Sequence, residues 1–226
     1  MMPLKPPLRS VLFDLDGTLL DTAPDLAFAC NAAAREAGLE PQPLAALKPL
    51  ISGGASAMLR HILGASRQEA DFNPLIERML ALYEENIAVH TRFFDGMETV
   101  LDELESRQLT WGIVTNKVTR FTEPLLQSLN LLERPACIIS GDTLPEQKPH
   151  PMPMLEACRR IGCQPAQCVY IGDARRDIEA GRNAGMATLV ALYGYVGADD
   201  PAESWGADGL LRHPHELLIW LDETLQ

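Results

Sequence analysis

The chain has 226 residues, of which 46% are hydrophobic, 22% are charged and 6% are aromatic. This composition is typical of one sizeable globular domain, or of a main domain with a smaller insert, and it excludes a disordered or collagen-like chain. Acidic residues outnumber basic ones by 31 to 19, which gives a formal net charge of −12. That charge argues against nucleic acid or an anionic membrane as the main partner, because both would be repelled.

The cysteine pattern and the N-terminal segment both bear on the compartment. The five cysteines include no C-x-x-C pair, which predicts free thiols rather than a disulfide framework or a zinc knuckle. The segment MMPLKPPLRS lacks the apolar stretch of a signal peptide, and no apolar run is long enough for a transmembrane helix. We therefore expect a cytoplasmic protein that is a monomer or a small homo-oligomer.

The first predicted element is a buried strand at residues 10–14, a short apolar run that ends in the acid-glycine turn DLDGT. The next stretch, 20–94, is predicted to be almost wholly helical. It is too long for a loop and long enough for a small helical bundle. We therefore predict a helical cap domain at 20–94, inserted between a first part of the core at 1–19 and a second part at 95–226. The helical patterns within the insert cover 24–38, 44–52, 56–64 and 73–90.

Strand and helix alternate after the insert. This alternation predicts an α/β fold with a doubly wound parallel sheet, which is Rossmann-like and has its ligand site at the carboxyl ends of the strands. The strand candidates are 110–115, 136–140, 168–172, 187–193 and 209–212. The helical patterns between and after them are 97–107, 118–129, 151–162, 174–185 and 214–225.

Two pairs of acidic residues lie at predicted strand ends. Asp14 and Asp16 end the first strand, and their spacing of two places both side chains on one side. Asp173 follows a later strand, and Asp177 lies one turn into the next helix. Carboxylates this close repel one another unless a cation or a proton lies between them, and such oxygen ligands suit a hard divalent ion. Taken alone, each pair also fits a simpler interpretation, a solvated turn for the first and a helix N-cap for the second.

Two further groups are candidates for binding an anion. Thr115 ends a predicted strand, and it offers a hydroxyl beside the backbone N–H groups of Asn116 and Lys117 at a predicted helix start. Lys148 lies in a loop that Pro149 constrains. Taken alone, Thr115 is typical of a helix cap and Lys148 of a solvated surface charge.

The order of these features resembles the haloacid dehalogenase superfamily of phosphotransferases over essentially the whole chain. FDLDGTLLDT at 13–22 matches the first motif of that family residue for residue. Thr115, Lys148 and GDARRD at 172–177 fit the second, third and fourth motifs. The helical insert resembles the cap of the phosphoglycolate-phosphatase-like subfamily.

The resemblance implies a Mg²⁺-dependent phosphatase that works through an aspartyl-phosphate. Asp14 would attack the phosphorus, and Asp16 would protonate the leaving alkoxide and later deprotonate the hydrolytic water. Mg²⁺ would be held by Asp14, the backbone carbonyl of Asp16 and Asp173, with Asp177 supporting the site from close by. The family's dehalogenases lack the second acid of the first motif, so the presence of Asp16 argues for phosphate ester chemistry.

The remaining motif residues would bind substrate. The resemblance implies that Thr115, the Asn116 amide and Lys148 contact the phosphoryl oxygens and offset their growing charge in the transition state. In the cap, Ser52, Gly53 and Gly54 are candidates to contact the leaving group, because paired glycines bring backbone N–H groups close to whatever lies beneath.

The resemblance leaves the substrate open between two small phosphorylated metabolites. We favour N-acetylmuramic acid 6-phosphate over the alternative, 2-phosphoglycolate. A phosphomutase would share every catalytic residue named above, so it stays a less favoured alternative. A receiver-like signalling domain also becomes phosphorylated on an aspartate, but it is shorter, has consecutive acids and lacks the helical insert.

Overall fold

The computed structural model describes residues 7–64 and 72–224. The predicted cap range includes 65–71, and the predicted core includes 1–6 and 225–226, all of which lie outside the described residues. The chain divides into two compact units, a larger one within 1–20 and 93–226 and a helical one within 21–92. In the described parts of both units, every helix is too short or too polar to cross a membrane.

The described residues form strands and α-helices that are numbered here in chain order. The strands are β1 (Ser10–Phe13), β2 (Leu20–Asp21), β3 (Arg92–Phe93), β4 (Thr110–Val114), β5 (Ile138–Ile139), β6 (Cys168–Gly172), β7 (Ala187–Ala191) and β8 (Gly209–Leu211). The helices are α1 (Ala23–Glu36), α2 (Leu44–Leu47), α3 (Gly54–Leu63), α4 (Phe72–Glu85), α5 (Met97–Ser106), α6 (Thr119–Ser128), α7 (Met152–Ile161), α8 (Arg175–Ala184) and α9 (Glu216–Thr224).

The larger unit is built on a six-stranded sheet in the order β5-β4-β1-β6-β7-β8. All of its pairings are parallel, and the apolar β1 is buried along its whole length, as a strand covered on both faces must be. This confirms the predicted α/β fold. Since β1 lies between β4 and β6, the residues that follow these strands meet at one edge of the sheet.

The helical unit closes on itself where the chain enters and leaves it. The carboxylate of Asp25, buried in the first turn of α1, accepts hydrogen bonds from the backbone N–H of His90 at 2.9 Å and of Thr91 at 2.8 Å. The Thr91 hydroxyl donates to the same carboxylate at 2.8 Å. The neighbouring strands β2 and β3 pair with each other in a two-stranded sheet. The two ends of this segment are therefore held together by the segment's own residues.

The last helix of the insert is shorter than the sequence predicts. The pattern predicts a helix over 73–90, but α4 ends at Glu85. Ala88 then adopts a left-handed conformation with φ of 61°, which a right-handed helix does not allow. Asn86 bonds back to the end of the helix instead, its side chain donating to the Leu82 carbonyl at 2.9 Å.

Candidate active site

Three carboxylates converge at the carboxyl edge of the sheet. Asp14 follows β1, Asp173 follows β6, and Asp177 lies in the first turn of α8. Each contributes an oxygen atom to a group whose members lie within 4.8 Å of one another, and all three residues are buried. The sequence-predicted acids at these three positions are thus brought together.

Glycines allow the backbone to approach this cluster. Gly17 has φ of +83°, and a Cβ placed on it would lie 2.2 Å from Oδ2 of Asp173. A Cβ on Gly172 would lie 2.3 Å from Cβ of Asp177. Both distances are below any normal contact between carbon and a heavy atom, so the cluster closes only because glycine stands at these two positions.

Lys148 lies inside the carboxylate cluster rather than in solvent. Its fully buried Nζ lies 2.9 Å from Oδ1 of Asp14 and 2.7 Å from Oδ1 of Asp177. It also donates to the Val114 carbonyl at 3.0 Å and to the Tyr170 hydroxyl at 2.8 Å. Four acceptors surround an ammonium that has three N–H groups, so this cation is fixed in place from several sides. The interpretation of Lys148 as a solvated surface charge is wrong.

Asn116 and Tyr170 hold Lys148 in position. The sequence does not predict this role for either residue. The Asn116 side chain bridges the Lys148 backbone, accepting from its N–H at 3.1 Å and donating to its carbonyl at 3.0 Å. The Tyr170 hydroxyl donates to the Val114 carbonyl at 2.7 Å while it accepts from Nζ. Burial, and next the negative charge of Asp177, raise the pKa of Tyr170 well above its ordinary value, so this hydroxyl stays protonated. The sequence signal for this role is a tyrosine, with its polar hydroxyl, inside the otherwise apolar strand CVYIG.

Asp16 does not belong to the group of three carboxylates and pairs with its own lysine. Lys117 Nζ lies 3.0 Å from Oδ1 and 3.3 Å from Oδ2 of Asp16. The close spacing of Asp14 and Asp16 predicts one cation or proton between them, whereas the structure pairs each acid with a different lysine. The two acids of the first motif therefore have separate electrostatic surroundings.

Thr115 follows β4 as predicted, but it does not begin a helix. Helix α6 begins at Thr119, with Val118 at its N-cap, close to the predicted helix start at 118. Thr115 and the N–H groups of Asn116 and Lys117 lie just before this helix, and their contact with an anion stays a prediction. The Thr115 hydroxyl accepts a hydrogen bond from the backbone N–H of Lys117 at 3.1 Å. Thr115 is buried beside the acids at the same edge of the sheet, and its hydroxyl keeps a proton that it can donate.

Burial, and next the repulsion between the carboxylates, shifts the pKa values in the cluster. Burial raises the pKa of Asp173 well above its ordinary value, the charges of Asp14 and Asp177 raise it further, and a hydrogen bond from the Tyr195 N–H at 2.9 Å opposes the change. Burial likewise raises the pKa of Asp177, while the Lys148 ammonium lowers it. A bound cation would favour the ionised form of both carboxyls. Three buried carboxylates carry more negative charge than the Lys148 ammonium offsets, and their oxygens fit a hard divalent ion such as Mg²⁺.

The predicted leaving-group contacts lie in the helical unit. Ser52 and Gly53 end a short 3₁₀-helix, and Gly54 begins α3 with φ of 73°. A positive φ at this junction suits glycine. Their contact with substrate stays a prediction.

Comparison with known proteins adds a family and named relatives. A family model described as haloacid dehalogenase-like hydrolase matches residues 11–191. An N-acetylmuramic acid 6-phosphate phosphatase of Pseudomonas putida is 42% identical over 218 residues, which are 96% of this chain and 98% of the relative. A phosphoglycolate phosphatase of Xanthomonas campestris is 46% identical over 213 residues, which are 92% of this chain and 94% of the relative.

Solved structures agree with this fold. The crystal structure of a predicted phosphoglycolate phosphatase from Haemophilus somnus superposes with a TM-score of 0.82 at 27% identity. The alignment covers 94% of this chain and 98% of that one. The similarity therefore extends over nearly the full length of both chains.

Proposed function

Because the chain belongs to the haloacid dehalogenase-like hydrolase family, we propose that it hydrolyses a small organic phosphate monoester with Asp14 as the nucleophile. The observation that carries the proposal is the buried Lys148 ammonium between Asp14 and Asp177. A fixed positive charge beside a nucleophilic carboxylate suits the transfer of a phosphoryl group, whose oxygens carry negative charge in the transition state.

The surroundings of Asp14 support one of its oxygens as the attacking atom. Oδ1 accepts a hydrogen bond from the Leu15 N–H at 2.7 Å and lies 2.9 Å from Lys148 Nζ. These two contacts orient the carboxylate, and we assign the attack on phosphorus to Oδ2. The P–O bond to the substrate alkoxide breaks as the bond to Oδ2 forms, which gives an aspartyl-phosphate on Asp14.

Asp16 is proposed to move the protons of both half-reactions. In its protonated form it would donate a proton to the departing alkoxide. The carboxylate that remains would then accept a proton from the water that attacks the phosphorus of the aspartyl-phosphate, which restores the protonated form. The ion pair with Lys117 holds its carboxylate in one orientation. In the second step the P–O bond to Asp14 breaks, so inorganic phosphate leaves and Asp14 is regenerated.

Phosphoryl oxygens are proposed to contact Thr115, the Asn116 backbone amide and Lys148. Mg²⁺ would be held by Asp14, the backbone carbonyl of Asp16 and Asp173, with Asp177 beside them, and when bound it would offset phosphoryl charge. The oxygen-rich, buried donor set supports this choice of ion.

For the substrate we propose N-acetylmuramic acid 6-phosphate, with 2-phosphoglycolate as the second candidate. The first is what the Pseudomonas relative is named for, and alignment with that enzyme covers 96% of this chain. The second is favoured by the 46% identity to the phosphoglycolate phosphatase of Xanthomonas. Identity alone does not separate the two, since the higher value comes with the shorter alignment. The predicted leaving-group residues Ser52, Gly53 and Gly54 would contact either one.

Three measurements test the proposal. Asp14→Asn is expected to abolish turnover and the hydroxylamine-labile phosphoprotein while leaving the circular dichroism spectrum unchanged, and exposed Asp222→Asn serves as the matched control. Substantial phosphatase activity in Asp14→Asn would remove Asp14 from the nucleophile role. For the substrate, kcat/KM is measured side by side on N-acetylmuramic acid 6-phosphate and 2-phosphoglycolate. A clear preference for the latter would reverse the order of the two candidates, and full activity after EDTA treatment would contradict the metal assignment.

A further inference from the structure

Three cysteine side chains meet in the larger unit, away from the carboxylates. Cys158 lies near the end of α7, Cys163 follows that helix, and Cys168 is the first residue of β6. The Sγ atoms of Cys158 and Cys168 are 3.6 Å apart, and those of Cys163 and Cys168 are 3.1 Å apart. All three sulfurs lie within 4.8 Å of one another.

The backbone between these residues accounts for their convergence. Gly162 ends α7 in the left-handed conformation with φ of 77°, as is common at helix C-termini. The turn lets the Cys163 N–H donate to the Cys158 carbonyl at 3.1 Å. A 3₁₀-helix at Pro165–Gln167 then leads directly into Cys168. The cluster is thus built within a short, hydrogen-bonded stretch of chain.

Burial divides the three thiols into two kinds. Cys158 and Cys168 are buried in the apolar core, whereas Cys163 is partly exposed. An ion from solvent can therefore reach the cluster at Cys163. Hydrogen bonds with Cys168 and Cys163 lower the pKa of the Cys158 thiol against the opposing effect of burial.

The cluster is separate from the candidate active site. Cys168 begins β6, and Asp173 directly follows the end of the same strand. Five residues at about 3.3 Å each separate the two by roughly 17 Å along the strand. The two groups of ligands also differ in chemistry, since carboxylates prefer hard cations and thiolates prefer soft ones.

We propose that Cys158, Cys163 and Cys168 form a second metal site, which binds a soft d¹⁰ cation of the Zn²⁺ or Cu⁺ type through three thiolates. Tetrahedral bonds of about 2.3 Å from zinc to sulfur place the sulfurs about 3.8 Å apart. The pair Cys158 and Cys168 already has nearly this separation at 3.6 Å. The sulfurs of Cys163 and Cys168, at 3.1 Å, have to separate by a fraction of an ångström, which a shift of the partly exposed Cys163 would supply.

The number of ligands distinguishes the two ions. Three thiolates complete the coordination of Cu⁺, whereas Zn²⁺ takes a fourth ligand, for which a water at the exposed Cys163 side is suitable. Binding displaces thiol protons into solvent, because only thiolates coordinate. The bound ion would tie the end of α7 to the start of β6 and so stabilise the larger unit.

The test titrates the reduced full-length protein with Cd²⁺ under anaerobic conditions and follows the thiolate-to-metal charge-transfer absorbance in the ultraviolet. This band reports sulfur ligands alone, so an ion on the carboxylates does not contribute to it. We expect a plateau at one equivalent, proton release, and a rise in melting temperature. Separate arms displace Cd²⁺ with Zn²⁺ or with Cu⁺, which determines the preferred ion.

Cys163→Ser is the test variant, because a partly exposed serine there should not disturb folding. Cys30→Ala is the control, since Cys30 lies in the helical unit. We expect Cys163→Ser to lose at least tenfold in Cd²⁺ affinity, as about 1.4 kcal/mol or more of binding energy disappears with one ligand, and to keep full phosphatase activity. The control should bind like the wild type. Absence of the band, a band unchanged in Cys163→Ser, or loss of free thiols to a disulfide without metal binding would overturn the proposal, and none of these outcomes bears on Asp14.

Discussion

Replacing Lys148 by methionine removes a buried cation from between two carboxylates while nearly preserving the length of the side chain. The Lys148 and Asp177 side chains are both 0% exposed, and that of Asp14 is 5% exposed. Removing one partner of a buried ion pair costs about 3–5 kcal/mol, because the other charge is left without compensation. Since burial already raises the pKa of Asp177, this carboxyl can take up a proton, which limits the loss. We expect the free energy of unfolding to fall by about 3 kcal/mol, at the lower end of that range.

Tryptophan fluorescence is the appropriate assay for this variant. Trp111, Trp205 and Trp220 all belong to the larger unit, so urea unfolding followed by fluorescence reports this unit even if the helical unit unfolds separately. EDTA is present throughout, so that no added metal replaces the lost charge. Arg175→Met is the control, because Arg175 pairs with Asp200 at the surface of the same unit. Exposed pairs contribute about 0–1 kcal/mol, so this control should be nearly as stable as the wild type.

A double variant separates loss of charge from loss of packing. Lys148→Met combined with Asp177→Asn leaves a neutral amide beside the methionine, so it should be more stable than the sum of the single variants predicts, by about 1–3 kcal/mol. If Lys148→Met unfolds at the same urea concentration as Arg175→Met, or if the two single effects add, then the ammonium does not compensate these carboxylates and the reasoning is refuted.

Three more outcomes are expected. Asp16→Asn should release para-nitrophenol from its phosphate ester in a burst of one equivalent and then stall, because a good leaving group needs no proton but hydrolysis of the aspartyl-phosphate needs a base; a steady rate without a burst would contradict the role of Asp16. Gly17→Ala should lose activity and several kcal/mol of stability, since its Cβ would lie 2.2 Å from Asp173. The control Gly185→Ala, with φ of +82° and open space around it, should lose only about 1 kcal/mol. Equal losses in the two variants would show that steric overlap at the cluster does not matter. In EDTA, the raised pKa of Asp173 means that the folded state keeps the proton on this carboxyl to a higher pH than the unfolded state does. The stability of the wild type relative to Asp173→Asn should therefore fall as the pH rises above about 4. Melting temperatures of the two proteins that change in parallel with pH would contradict that shift.

Local sequence patterns predict the sheet and the position of the acids because both depend on near neighbours. The run SVLF predicts a buried strand and the structure has one, and an acid placed directly after a parallel strand must lie at the carboxyl edge. The same logic places Asp173 after CVYIG. These expectations are confirmed because strand polarity alone fixes where the following residue lies.

Contacts between distant parts of the chain are beyond such patterns. Lys117 and Asp16 are separated by 101 positions and meet only because β4 and β1 are neighbours. The Asn116 side chain bridges the Lys148 backbone from 32 positions away. Side-chain direction at the end of a strand depends on the loop that follows, and the loop after β4 continues to Thr119 before a helix begins. The predicted strand at 110–115 and helix at 118–129 agree with β4 and α6, but no local pattern shows which distant side chains meet in the loop between them.

The hydrogen bonds of Asp25 and the pairing of β2 with β3 have a consequence for the entropy of folding. An insertion of about 70 residues between two core elements would add about 2–3 kcal/mol to the cost of loop closure relative to a turn of a few residues. The first and last residues of the segment bind each other. Once the segment has folded, the entropy cost of closing the connection between the core elements is therefore that of a short loop. The length and side chains of the segment proposed to select the substrate can therefore change without a topological penalty to the sheet that carries the chemistry.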